Sequence, residues 1–144
     1  MRSVDKNFRE IFKELTNGDA SLQLEDQLNI ESGLLVQASP GGKNLLNIDA
    51  MSGGEKTLTA LAFLFAIQRY KPSPIYILDE VDSNLDKINS KKIAEFVAKS
   101  SKNAQFLLVT HNDTTITTAD RIIGVHMDEK KISRIVGVKL AEAD

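Results

Sequence analysis

Between Val4 and Leu15 apolar residues recur every three or four positions. Val4, Phe8, Ile11, Phe12 and Leu15 share one helical face while charges fill the other, which predicts an amphipathic helix over 4–16. Asn17-Gly18 stops it. From 20 to 38 the period shortens to two, as in SLQLE and GLLVQA with Ser32-Gly33 between them, and predicts two or three antiparallel strands. Ser39-Pro40-Gly41-Gly42-Lys43 has turn chemistry, and the short apolar piece Leu45 to Ile48 follows it. The second half reads differently. Glu55 to Tyr70 is apolar almost all round, as expected of a buried helix, and Pro72 and Pro74 end it. Ile75 to Leu78 is wholly apolar, the mark of a strand covered on both faces. A helix over Lys87 to Ser100 follows, with Ile88, Ile93, Phe96 and Val97 as its inner face. Phe106 to Val109 predicts a second buried strand, and 114–119 a short helix. Ile122 to Met127 and Ile132 to Leu140 predict a closing hairpin around DEKK.

Strands alternating with helices predict an α/β fold: a mostly parallel sheet flanked by helices, antiparallel strands near the N-terminus and a C-terminal hairpin. No repeat or low-complexity linker divides the chain, and its 144 residues suit one domain with its own core. A net charge of −2 gives no global positive field toward nucleic acid or anionic membrane. Lys87, Lys91, Lys92, Lys99 and Lys102 give one helix a basic tendency, which is ordinarily a solvated face. The absence of cysteine excludes a disulfide framework and thiolate chemistry, and fits a reducing cytoplasm. Two histidines are too few for a histidine-based metal site. No run approaches 18 apolar residues and no signal peptide is visible at the N-terminus, so no membrane partner is expected.

Three short segments carry candidate chemistry. Ser52, Gly53 and Gly54 run straight into the long apolar helix. Glycines let a backbone approach a ligand closely, and a helix N-terminus offers unpaired N–H groups, so phosphate is the natural guest. A plain Ser N-cap with a glycine turn has the same residues. Asp79 and Glu80 follow an apolar strand, at the strand end where open α/β sheets bind ligands. Asp79 would hold Mg²⁺ through water and Glu80 would deprotonate an attacking water, although two solvated acids at a strand end would look alike. His111 follows the second apolar strand, where it could contact a terminal phosphate or be merely structural. His126 falls within a predicted strand and is given no role.

In order, MSGGEK, IYILDEVDSNLD and LLVTHN resemble the signature loop, Walker B segment, D-loop and switch histidine of ABC-type ATPases. The run from Ser52 to Asp86 is most similar to the SMC proteins, the chromosome-organising ATPases, and NFREIFKELTNGDASLQLE and GLLVQASPGGK also resemble the SMC segment before the signature. Met51 stands where leucine is usual. The resemblance implies the C-terminal lobe of an ABC-type, P-loop NTPase-like head: 1–17 the end of the coiled-coil arm, 18–50 the strands before the signature, and 51–144 the signature, Walker B, D-loop and switch region. It implies that Ser52, Gly53, Gly54 and Glu55 belong to the surface that meets ATP held by an opposite head. Asp79 would be the Mg²⁺ acid, Glu80 the catalytic base, Asp86 a D-loop residue at the head–head interface and His111 the switch. The implied cofactors are ATP and Mg²⁺. The implied partners are the N-terminal Walker A lobe, a second head, a kleisin subunit and, through the full complex, DNA, in the cytoplasm on the nucleoid.

A complete phosphoryl-transfer site also needs G-x-x-x-x-G-K-[ST], and the chain has none. Gly41-Gly42-Lys43 lacks the first glycine and is followed by Asn44. The chain alone is therefore expected to bind ATP poorly, to hydrolyse it negligibly and to expose apolar surface where the missing lobe packs, with Val4 and Phe8 more exposed than beside a coiled-coil arm. Two other readings stand beside this one. The first is the equivalent lobe of the related double-strand-break-repair ATPases, which more often carry Pro-Thr after the Asp-Glu. The second is a non-catalytic module that docks a kleisin.

Overall fold

The computed structural model describes residues 1–29, 31–41 and 45–139. Gly42, Lys43 and Asn44 of the turn, and Leu140 at the end of the hairpin, lie outside the described residues. Helix α1 spans Arg2–Thr16 and buries Phe8, Ile11, Phe12 and Leu15, four of the five positions its period selects. It ends where Asn17 turns left-handed at φ 57°, releasing the chain into β1, Asp19–Leu24. Between them Gly18 is indispensable, because a Cβ there would lie 2.1 Å from the Ser39 carbonyl oxygen. Gly18→Ala is expected to cost about 1–3 kcal/mol in thermal or denaturant unfolding, as overpacking against backbone does.

Strand β1 pairs antiparallel with β2, Leu34–Ser39, which pairs with the two-residue β3, Leu46–Asn47. The Asp5 carboxylate ties α1 to this sheet by accepting the Leu22 amide at 2.7 Å, while Arg9 pairs with its other oxygen at 2.8 Å. A 3-10 turn, Ile48–Ala50, leads to α2, Gly53–Tyr70. Helix α2 packs along α1, with Phe8 edge-on to Phe63 at 6.1 Å. Helix α3, Lys87–Ser100, closes the core from another side, with Phe96 lying 4.7 Å from Phe65 of α2. Phe8 is fully buried, as its place on the inner face of α1 predicts, so the added exposure expected of it beside a missing arm is not found; α2 covers it, and Val4 is half-buried.

Strand β4, Ile75–Asp79, and β5, Gln105–Val109, run parallel with α3 as the crossover. After β5 come the one-turn helix α4, Asp113–Ile116, shorter than expected, and the antiparallel hairpin of β6, Arg121–Met127, with β7, Ser133–Lys139. The fold is α/β, but among the described residues parallel pairing is confined to β4 and β5, and the strands form three separate sheets. Asp128 pins the hairpin turn. Its carboxylate accepts the Ile132 and Lys130 amides and Arg134 Nε, each at 2.9 Å, and these bonds, the Ile132 amide foremost, hold it below the usual carboxylate range.

The apolar runs do not behave as their uniformity predicts. Tyr76, Leu78, Phe106 and Leu108 turn inward, with Tyr76 stacked on Phe106 at 5.0 Å, while Ile75, Ile77, Leu107 and Val109 face outward. Ile77 is 68% exposed. Leu64, Ile67 and Tyr70 of α2 are exposed as well, so this helix is buried on one side only. Ile88, expected on the inner face of α3, is also exposed; Ser90 and Ala94 are buried alongside Ile93, Phe96 and Val97. The physical reason is common to the strand pair and α2. Residues apolar on every side need cover on every side, and among the described residues nothing packs on the second face.

Candidate functional site

Ser52 caps α2, and its partner is Glu55. The two form a capping box in which Glu55 Oε2 accepts the Ser52 amide at 3.0 Å and the Ser52 hydroxyl at 2.8 Å. Glu55, acidic in the first turn, also complements the helix dipole. The structural reading of Ser52 is therefore correct as far as it goes. It does not account for the glycines. A Cβ on Gly53 would meet nothing within 4 Å, and one on Gly54 would make only ordinary contact, 3.4 Å from the Asn84 carbonyl oxygen. Both residues are helical, so neither needs glycine's conformational freedom. Packing does not require glycine at either position, and the missing side chains leave this helix start open to close approach from outside the chain.

Asp79 ends β4 opposite Val109, which ends β5. The register extends one step further, because the Glu80 amide donates to the Val109 carbonyl at 2.8 Å. Asp79-Glu80 and Thr110-His111 are therefore brought together at the adjacent carboxyl ends of one parallel pair. Glu80 itself sits at φ 46°, an uncommon conformation for a residue with a Cβ. Its carbonyl accepts the Ser83 amide at 3.1 Å, so the chain turns sharply there instead of continuing the strand. Strain of this kind persists only where neighbouring bonds over-determine it, and it clusters at functional sites. Asp79, Glu80 and His111 are exposed, and their side chains make no hydrogen bond or ion pair among the described residues.

This donor set suits a half-site. No group of three or more His, Asp or Glu able to hold a metal exists among the described residues. One uncommitted carboxylate fits Mg²⁺, which keeps several waters and takes its other ligands from phosphates. The signature-like turn approaches the loop after Glu80 at Gly54, where a Cβ would lie 3.4 Å from the Asn84 carbonyl oxygen. Asp86 caps α3, its Oδ1 accepting the Asn89 amide at 2.8 Å, and is exposed. On α3, Lys91 lies 3.8 Å from Glu95, and Lys99 lies 2.8 Å from Glu14 of α1, so part of the basic face is neutralised.

One member of the site escapes sequence reasoning. Asp82 is 4% exposed, and its carboxylate accepts the hydroxyls of Thr110, at 3.0 and 2.8 Å, and Thr115, at 2.5 Å. Asn112, two residues beyond Thr110, donates to the buried Ser90 hydroxyl at 3.0 Å. The available signal was weak: an acid within DEVDSNLD and a run of small polar residues, THNDTT, with no period to pair them.

A family model described as the RecF/RecN/SMC N terminal domain matches residues 11–134. The description names an N-terminal domain, which corrects the C-terminal half that the resemblance implied. The chain is 51% identical over 138 residues to the chromosome partition protein Smc of Methanocaldococcus jannaschii, spanning 95% of this chain and 12% of that protein. Among solved structures it is similar to one from work on ATP-driven dimerization and DNA stimulated activation of SMC ATPases, with TM-score 0.89 and 45% identity over 96% of this chain and 84% of that one. It is equally similar to an Smc head bound to the C-winged helix domain of ScpA, with TM-score 0.90 and 45% identity over 96% of this chain and 43% of that one.

Proposed function

The chain belongs to the RecF/RecN/SMC family, and from that premise we propose that it is the signature and Walker B lobe of an SMC-type ATPase head acting in chromosome partition. The observation that carries the reading is the juxtaposition of Asp79-Glu80 with Thr110-His111 at the ends of β4 and β5, joined through the Glu80 amide and the Val109 carbonyl. The relatives are about eight times longer than the stretch they share with this chain, which spans 12% of their length, so the remaining machinery lies elsewhere.

On this reading the lobe completes a site that it cannot build alone. Glu80 accepts a proton from the attacking water, a role open to an exposed carboxylate free of other side-chain bonds. Asp79 supplies the protein's carboxylate to Mg²⁺, which when bound offsets phosphate charge. His111 stands one residue beyond Thr110 as a donor toward the terminal phosphate. Ser52, Gly53 and Gly54 present an open helix N-terminus to a triphosphate held on a second head, with Glu55 fixing the Ser52 rotamer. Asp86 starts α3 at the same interface. The outward Ile77 and Leu107 face is where a P-loop lobe packs. The working unit acts in the cytoplasm on the chromosome, with a second head and a kleisin of the kind seen on the ScpA-bound neighbour.

The test is ATP hydrolysis by this chain alone and after mixing with a P-loop lobe. Phosphoryl transfer depends on positioning and electrostatic stabilisation, and the chain alone has no phosphate cradle of its own. Turnover is expected only in the mixture. Turnover by the chain alone at the rate of an intact head would refute the split site. None in a mixture shown by sedimentation to have assembled would leave only docking to ScpA-like subunits.

A further inference from the structure

We propose that Asp82 is a positioning residue for His111, coupling the loop after Glu80 to the switch. The inference rests on the functional reading above. Asp82 is buried, and a buried carboxylate is retained only where donors surround it. Its donors, Thr110 and Thr115, lie on either side of His111 in sequence. Thr110 Oγ1 does double duty, since it also accepts the Asn112 amide at 3.0 Å. Asn112 Oδ1 in turn accepts the Thr114 amide at 2.9 Å, and its Nδ2 donates to Ser90 of α3. The residues immediately before and after His111 are thereby fixed, through side chains, to Asp82 and to Ser90. The imidazole itself is exposed and makes no such bond among the described residues.

This arrangement has a mechanical consequence. The stretch from Asp82 to Asp86 runs from the buried carboxylate to the cap of α3 and passes Asn84, whose carbonyl faces Gly54. A displacement of that loop by an opposing head would move the acceptor that holds the Thr110 hydroxyl, one residue before His111. Asp82 touches neither water nor nucleotide in this scheme. It sets the place of the residue that does, and hydrogen-bond networks of this kind are coupled and not additive.

The experiment uses the full-length parent protein with Asp82→Asn, Thr110→Val and the pair together, and with Thr110→Ser as the conservative variant. Steady-state ATP turnover and thermal melting are measured for each, beside His111→Ala and Glu80→Gln. The expected result is a fall in kcat of roughly tenfold with KM for ATP within about twofold, as small misplacements of a catalytic group produce. The double variant is expected to be no worse than the poorer single, and Thr110→Ser to recover most of kcat. Turnover within about twofold of the unaltered protein, losses that multiply in the double variant, or a failure of Thr110→Ser to recover turnover at normal melting temperature would each overturn the inference. Should Asp82→Asn not fold, the Thr110→Val and Thr110→Ser comparison decides alone. If His111→Ala and Glu80→Gln leave turnover intact, the functional reading itself falls and this inference falls with it. If they abolish turnover and the Asp82 and Thr110 variants do not reduce it, this inference alone is wrong.

Discussion

Glu80→Gln, in the head assembled from this chain and a P-loop lobe, is expected to reduce ATP turnover by about 10²–10⁴-fold with nucleotide affinity little changed. Gln keeps the shape and the hydrogen-bonding reach of Glu and removes only the capacity to take a proton. On the proposed split site affinity would be spared, because most of the triphosphate's binding groups would lie on the other lobe. Folding is spared too. Glu80 is exposed, its side chain has no partner among the described residues, and the bonds that hold its φ of 46° come from its own amide and carbonyl. A stability change within the range of ordinary surface substitutions, about 0.5 kcal/mol either way, is therefore expected in thermal or denaturant unfolding. Single-turnover hydrolysis with nucleotide pre-bound measures the effect. Turnover within a few-fold of the unaltered head would mean that another group takes the proton, and the assignment of Glu80 as base would be lost.

The second large effect is expected at Gly53. Gly53→Tyr should leave the isolated chain folded, because the new Cβ meets nothing within 4 Å and the position is exposed. On the proposed reading the ring would occupy the space that a triphosphate held on a second head enters. Assembled heads carrying it should no longer dimerise with ATP, and their turnover should fall on the order of 10²-fold, as when backbone donors to a developing charge are removed. Size-exclusion chromatography with ATP, in a Glu80→Gln background that slows hydrolysis, gives the direct answer. An ATP-dependent dimer that survives Gly53→Tyr would reduce Ser52-Gly53-Gly54 to an ordinary helix start. Asymmetry makes the pair of experiments informative: Gly53→Tyr acts on assembly, Glu80→Gln on chemistry within an assembled head, and neither acts on the fold.

Much of this was visible in the residues. The period of α1 selected Val4, Phe8, Ile11, Phe12 and Leu15, and all but the half-buried Val4 are buried, because an amphipathic face has one low-energy orientation against a core. The alternation over 20–38 led to the β1–β2 pair for a similar reason. The apolar strands β4 and β5 were found, but their burial was not. A uniformly apolar run carries no information about which face is covered, and Ile77 and Tyr76 are alike in pattern but opposite in exposure. Ile88 failed for a related reason: as the second residue of α3, in its first turn, an apolar residue is not forced inward.

The candidate site divides along the same line. Ser52, Asp79, Glu80 and His111 could be singled out because each stands at a junction that the chain announces, a helix start or the end of an apolar strand. Sequence also determined what is absent, since no phosphate-cradling loop of the P-loop pattern occurs anywhere in the 144 residues. Tertiary structure alone decided that Gly53 is free of packing duty, that Glu80 takes a left-handed turn, and that Asp82 is a buried acceptor for Thr110 and Thr115. Local patterns record which side chains prefer water. They do not record which distant hydroxyls a carboxylate meets, because a contact across 28 or 33 residues depends on the register of β4 against β5 and on the path of α3 between them.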